Sequence, residues 1–531
     1  GWDDDPVFAS LLGGRNRYTV RPCSPFVWGG QYDEGTLVWR NRWVMVGGGI
    51  TECLEALAFP GHADRAVLVR RVIARHGPAH VEVHLEVGDD FGAGRRAPFR
   101  RTADGVWETR RGDTWLRGQP PAAVDHDQGL GGELRLDPGA QGDLVLERSG
   151  QPFADDPVSA DEALTATTAA WRRTVPEVFD TAAPRDARHA LAVLRGLTTG
   201  GGALVAAATT SLPERANEGR DYDYRFAWIR DQCYSGLAGA AAGRHVPEAL
   251  DLLDSAVHFI HQRLLEDGPD LRPVYRTNGA RVPAGRPVDL PGYPGAPDVA
   301  TGNRAGDQFQ LDVFGEALQL FAAAASHDRI DPDVWRAAEV AADAIAARWQ
   351  EPDAGVWELE PRRYTHSRLA CAAGLRRIAA AAPPGGPAND WLGLAERITS
   401  DTTAGALHPT GRWQRARDDE RCDAALLLPG LRGAVPADDP RTIATLRAVR
   451  QELVVDEYVY RCRFGDEPLG RAEGAFLLCG FWLSLATHRC GDHVGAVRLF
   501  ERNRVAVGSV APGLANHFAA VSGIGSQLTD E

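Results

Sequence analysis

The stretch Ser149-Gly-Gln-Pro-Phe-Ala-Asp-Asp-Pro-Val-Ser159-Ala-Asp-Glu-Ala163 divides the chain into two kinds of pattern. Its prolines, aspartates and serines interrupt regular structure, and the residues that follow, through Phe179, read as a helical linker. Before it, apolar residues recur at every second position. In His80-Val-Glu-Val-His-Leu-Glu-Val87 the residues Val81, Val83, Leu85 and Val87 fall on one side, and Ile50 to Phe59 behaves in the same way. Breaks at Gly47-Gly48-Gly49, Gly77-Pro78 and Asp89-Asp90 favour an antiparallel sandwich over a parallel sheet. After it, helical periodicity marks 186–197, 231–242, 247–265, 308–325, 333–349, 366–381, 390–400, 440–453, 474–487 and 493–502. Helices that follow one another without a short sequence repeat suit a closed ring of hairpins better than an open solenoid. The fold class is therefore mainly α with an all-β N-terminal unit. Residues 1–155 form the β-sandwich, 156–184 the helical linker and 185–531 the helical unit. At 531 residues the chain exceeds the roughly 250–300 residues that one core serves.

The formal net charge of −14, with no run rich in basic residues, argues against a nucleic-acid partner. Eight cysteines lie scattered, with no CxxC pair and no His/Cys spacing that suits zinc, so no zinc site is expected and most thiols should be buried. No apolar stretch approaches the roughly 18 residues of a membrane span, and no signal-peptide pattern opens the chain, so the expectation is a cytoplasmic protein without a membrane partner. The chain starts Gly-Trp rather than Met, which leaves room for a preceding segment. Oligomeric state is not legible.

Four segments carry chemistry. Asp221-Tyr-Asp-Tyr-Arg-Phe-Ala-Trp-Ile-Arg-Asp231 mixes carboxylates, arginines and aromatic rings, which suits either a sugar site or a structural ion-pair cluster at a helix start. Gln308, Asp312 and Glu316 are spaced to share one helix face that meets solvent or lines a cavity, and solvent is the ordinary outcome. Glu358, between Trp357 and Leu359, has apolar sequence neighbours that favour a protonated carboxyl, as a general acid requires; an exposed Glu beside a core Trp is the bland alternative. Glu473 precedes an apolar helix, whose N-terminus would keep it ionised, as a general base must be; an ordinary first-turn Glu would look the same.

In order and spacing, TTSLPERANEGRDYDYRFAWIRD (209–231), PGYPGAPDVATGNRAGDQFQLDVFGEALQ (291–319), PDAGVWELEPRRYTHSRLACAAGLRR (352–377), DAALLLPGLRGAVPADDPR (423–441) and EGAFLLCGFWL (473–483) resemble the hallmark segments of bacterial family 15 glycoside hydrolases, and WDDDPVFASLLGG (2–14) resembles the start of their β-sandwich. The resemblance implies a sandwich followed by an (α/α)6 barrel with the active site in the barrel mouth. It implies inverting, exo-acting release of β-D-glucose from short α-glucosides such as isomaltose, trehalose or malto-oligosaccharides, with no metal and no organic cofactor. Glu358 would be the general acid and Glu473 the general base, with Glu467 a second candidate for the base. Arg230, Asp231, Trp228, Tyr222, Trp357 and Gln310 would contact the sugar. The chain departs from the family pattern at Asp221-Tyr222, Ser367-Arg368, Ala370 and Ala372, and in the closing segment GLANHFAAVSG (513–523).

Two other functions suit the same composition. A sugar epimerase on this barrel would need a His or Tyr base, and His258, His366 and His517 sit in no motif of that kind. A catalytically inactive sugar-binding protein would keep the pocket without turnover.

Overall fold

The structure is a computed structural model that describes residues 2–62, 64–89, 91, 97–103, 105–119, 124–125, 129–213, 221–463 and 474–508. The chain forms two compact units. One comprises Asp3–Pro176 with Pro287–Val299, the other Glu177–Arg286 with Ala300–Glu531 and the first two residues.

The first unit holds β1 (Arg17–Pro22), β2 (Phe26–Tyr32), β3 (Trp39–Met45), β4 (Ile50–Leu57), β5 (Arg65–His76), β6 (Ala79–Glu86), β7 (Arg100–Arg101), β8 (Trp107–Arg111), β9 (Thr114–Gly118), β10 (Val124–Asp125), β11 (Gly129–Leu136) and β12 (Gln141–Ser149). They make a four-stranded sheet in the order β1-β6-β11-β10 and an eight-stranded sheet in the order β2-β3-β4-β5-β12-β9-β8-β7. The period-two residues Val81, Val83, Leu85 and Val87 are all buried, as alternation across a sheet requires. Leu85 and Val87 meet Leu116 and Leu146 of the larger sheet, and Val81 meets Trp43, Cys53 and Val72, so the two inner faces share a sandwich core. Helix α1 (Ala160–Thr174), in the segment read as a linker, starts at Ser159, whose side chain accepts from the Glu162 amide. It lays Ala160, Ala163 and Leu164 on Val38, Val67, Val69 and Val145 of the larger sheet. The Trp171 ring stacks on Phe59 with centroids 4.1 Å apart.

The second unit is an (α/α)6 barrel. Its helices are α2 (Pro184–Leu197), α3 (Ile229–Gly243), α4 (Leu250–Asp267), α5 (Asp312–Ser326), α6 (Pro332–Arg348), α7 (Thr365–Ala380), α8 (Ala388–Ala406), α9 (Leu428–Arg432), α10 (Pro440–Glu452), α11 (Leu477–Arg489) and α12 (His493–Gly508). Helices α3, α5, α7 and α11 form the inner wall, with a 3₁₀ turn at Ala424–Leu427 that runs into α9; α4, α6, α8, α10 and α12 pack outside. Inner helices are surrounded, so they bury every face: Asp312 to Phe321 and Thr365 to Leu375 are buried without exception. A Cβ on Gly315 would lie 2.4 Å from the Ala370 carbonyl oxygen, and one on Gly374 would lie 2.3 Å from that of Gly315. Glycine at both positions lets α5 and α7 approach backbone to backbone. Asp331 and Asp439 cap α6 and α10 ahead of Pro332 and Pro440, the arrangement that starts a helix at lowest cost. Among the described residues, no helix is long and apolar enough to cross a membrane.

Candidate active site

The site is built where α3 begins. Trp228 is fixed on both sides: its backbone pairs with Val274, and its ring packs among Phe226, Val274 and Ala305. Val274 and Ala305, which lie between α4 and α5, thus back Trp228. Tyr222, Tyr224 and Trp228 run along one edge, with centroid spacings of 6.2 and 6.0 Å. The acid and base side chains between them divide by role. Asp223 and Arg225 form a buried bidentate pair at 2.9 Å, and Asp223 also accepts from the Gly302 amide, so both are structural. Arg230 turns toward the interior and donates to Oε1 of Gln310 at 2.9 Å. Gln310 in turn donates to Gln308 at 3.0 Å.

Glu358 sits on the loop between α6 and α7 with φ at 58°, a left-handed conformation that a glutamate seldom adopts. The loop is pinned at its base by Asp353. This fully buried carboxylate accepts from the amides of Leu311 and Gly355 at 3.3 and 3.1 Å, from Ser367 Oγ at 2.7 Å, and from Arg368. Burial pushes the Asp353 carboxyl up to about 6, against the Arg368 guanidinium that opposes the shift. Gly355, at φ 67°, packs where a Cβ would lie 2.7 Å from the Tyr364 ring. The result aims Glu358 at the α3 start: Trp228 Nε1 donates to its Oε1 at 2.8 Å, and Arg230 lies 3.8 Å from the same oxygen. The sequence neighbours Val356 and Leu359 are therefore not what the carboxyl meets; its contacts are an N–H donor and a cation. Trp357 points the other way, with its indole donating to Asp423 at 2.8 Å and its ring edge-on to Phe476 at 6.0 Å.

Beneath these groups lies a layer of buried charge. Asp312 and Glu316 are wholly buried, so the polar stripe of α5 lines the barrel interior and does not meet solvent. Gln308 precedes the helix, which begins at Asp312, and shares no helical face with the other two. Asp312 lies 3.5 Å from Arg230, and Glu316 lies 3.7 Å from Arg432. Burial raises the carboxyls of Asp231, Asp312 and Glu316 above their ordinary range, and Arg230 opposes the shift at all three, with Arg432 the larger opponent at Glu316. Arg230 is nevertheless held more firmly protonated: burial works against its charge, but Asp312, Asp231 and Glu358 outweigh it. His366 is buried with neither ring nitrogen hydrogen-bonded, and burial together with Arg230 and Arg432 lowers it to about 3, so it is a neutral packed ring and not an accessible base. His258 is exposed on α4.

The structure thus brings together Glu358, Trp228, Arg230, Gln310 and Asp231, with Tyr222 along the aromatic edge and Trp357 behind the acid. Glu473 and Glu467 lie outside the described residues, as does His517. Sequence reasoning missed the work of Asp353, which it gave no role, and of Arg368, which ties that loop to α7. The signal available was a lone Asp two residues before a glycine with an arginine one helical turn into α7. None of these carboxylates belongs to a three-ligand metal group; among the described residues such a group occurs in the β unit.

The sequence model described as glycosyl hydrolases family 15 matches residues 190–521. Among curated proteins, the chain is 33% identical over 382 residues to a trehalase of Mycolicibacterium smegmatis, an alignment covering 69% of this chain and 57% of that one. It is 35% identical over 321 residues to a trehalase of Mycobacterium tuberculosis, covering 58% and 47% respectively. The chain spans about half the length of these relatives. Among solved structures, a bacterial glucoamylase complexed with acarbose superposes with a TM-score of 0.69 over 97% of this chain and 88% of that one, at 12% identity, a likeness of fold.

Proposed function

The chain belongs to glycoside hydrolase family 15, and from that premise we propose that it hydrolyses short α-glucosides, trehalose first among them, with inversion at the anomeric carbon. The observation that carries this reading is the setting of Glu358: a carboxyl on a strained loop, oriented by an indole N–H and a guanidinium on one oxygen, with the other free to face a leaving group. The names of the relatives favour trehalose over isomaltose and malto-oligosaccharides.

Glu358 gives its proton to the glycosidic oxygen as the C1–O bond breaks. A second carboxylate, assigned to Glu473 with Glu467 as the alternative, takes a proton from the water that attacks C1 on the opposite face. Such pairs stand roughly 6.5–9.5 Å apart. After one turnover the acid is ionised and the base protonated, and exchange with solvent restores both. Arg230 and Asp231 hold hydroxyls of the terminal glucose, Gln310 steadies Arg230, Trp228 and Tyr222 supply the apolar walls, and Trp357 backs the acid. Support for Glu473 comes from its neighbourhood: Phe476, three residues on, packs against Trp357, the residue beside the acid. The reaction as written needs no cofactor.

The test is proton NMR of glucose in the first minutes with trehalose, isomaltose and maltose in parallel. Inversion of trehalose gives α- and β-glucose in equal amounts, because only one of the two anomeric carbons is attacked. Two molecules of α-glucose would refute the mechanism. No glucose from any of the three would favour a sugar-binding protein.

A further inference from the structure

We propose that Cys23, His80 and Glu133 form a three-ligand site for a borderline divalent cation, zinc first, on the outer face of the smaller β-sheet. The three donor atoms lie within 4.8 Å of one another. They come from three adjacent strands or strand ends, β1, β6 and β11, so the backbone ladder fixes their spacing. Pro22 pairs with Val81, and the Cys23 amide donates to the His80 carbonyl at 3.0 Å, which sets thiol beside imidazole. On the other side of β6, Leu134 pairs with Val81, which turns the neighbouring Glu133 to the same outer face as His80. His80 Nε2 and Glu133 Oε2 are already 2.9 Å apart. No sequence spacing announces such a group, because each residue belongs to a different strand.

The donor set is specific. Thiolate, imidazole and carboxylate together suit zinc, with bonds of about 2.0–2.3 Å, and leave a fourth tetrahedral position for water. Magnesium and calcium prefer oxygen alone. The donors need to move by about an ångström or less to close on one ion, a change that side-chain rotation at the surface supplies. Arg135 bonds Glu133 Oε2 at 2.6 Å and is the competing occupant, but among the described residues both bonds to this carboxylate fall on Oε2 and not on Oε1. On binding, the thiol proton passes to solvent and the cation replaces it. The ion would clip β1, β6 and β11 together. Cys490, the other exposed cysteine, belongs to no such group among the described residues.

The experiment strips the chain of metal with a chelator and titrates it with cobalt(II), following the thiolate-to-cobalt charge-transfer band, then displaces cobalt with zinc. The expected result is one equivalent bound, a band present in the unaltered chain and in Cys490→Ser, and its loss in Cys23→Ser. His80→Ala and Glu133→Gln should each weaken binding by at least the roughly 10-fold to 100-fold that loss of an outer-shell partner alone costs. Absence of the band at saturating cobalt, or its persistence in Cys23→Ser, overturns the proposal. Far-ultraviolet circular dichroism on each variant separates ligand loss from unfolding.

Discussion

The indole N–H of Trp228 donates to Oε1 of Glu358 at 2.8 Å, joining residues from two segments that the barrel alone brings together. Arg230 approaches the same oxygen, so under the proposed assignment Oε2 is the atom that carries the proton. The bond orients the acid and is distinct from the wall that the ring provides. Trp228→Phe keeps most of the wall and deletes the bond. A hydrogen bond to a charged group is worth roughly 1.5–3 kcal/mol, and a part of that realised in the transition state lowers kcat/KM on trehalose by about 10-fold. Unchanged steady-state kinetics would show that the indole N–H orients nothing.

Glu358→Gln should lower kcat on trehalose by about 10²–10⁴, the range for a general acid, with little change in thermal midpoint because the side chain is partly exposed. α-Glucosyl fluoride, whose leaving group needs no proton, should be turned over by the variant far better than trehalose. Equal losses on both substrates would mean that Glu358 does not act as the acid.

His366 gives a pH prediction. It is lowered from 6.5 to about 3 in the folded chain, so below 6.5 the unfolded chain binds the proton and the folded one does not. Stability is present in full above 6.5 and falls as pH drops toward 3, by up to about 1.4 kcal/mol per pH unit. His366→Leu, of similar volume and with no hydrogen bond to lose, should flatten this slope and move the acid-unfolding midpoint to lower pH. Denaturant titrations between pH 4 and 7 read it directly. A slope unchanged by the substitution would locate the acid sensitivity elsewhere.

Gly374→Ala should destabilise by about 1–3 kcal/mol, since the new methyl meets backbone and not a mobile side chain. At this chain length that corresponds to a fall in midpoint of about 1–3 °C. Activity should drop with it, because α5 carries Asp312 and hence the support of Arg230. Scanning calorimetry and turnover on the same preparation check both effects; an unaltered midpoint would contradict the close crossing of α5 and α7.

The pattern of the chain disclosed both architectures, since alternation in His80–Val87 and helical period after residue 185 are local properties that survive in the fold. It did not disclose the surroundings of Asp312 and Glu316. Periodicity says that two side chains share a face, but an inner barrel helix has no solvent face, so the usual inference from a polar stripe fails there. The inner segment 424–432 escaped because a 3₁₀ turn and one short α-turn are too brief to show a period. The left-handed backbone of Glu358 had no sequence marker either, since glycine or asparagine would be the expected residue at such a φ.

The segment Pro287–Val299 belongs with the β unit although helical-unit sequence flanks it on both sides, and the Gly292 amide bonds the Leu12 carbonyl at 3.0 Å. A ribosome making this chain has therefore finished every strand of the sandwich long before it delivers the last piece of that unit. The sheets can close, but the unit waits for that piece while α2 to α4 emerge, so the two units do not leave the ribosome strictly one after the other.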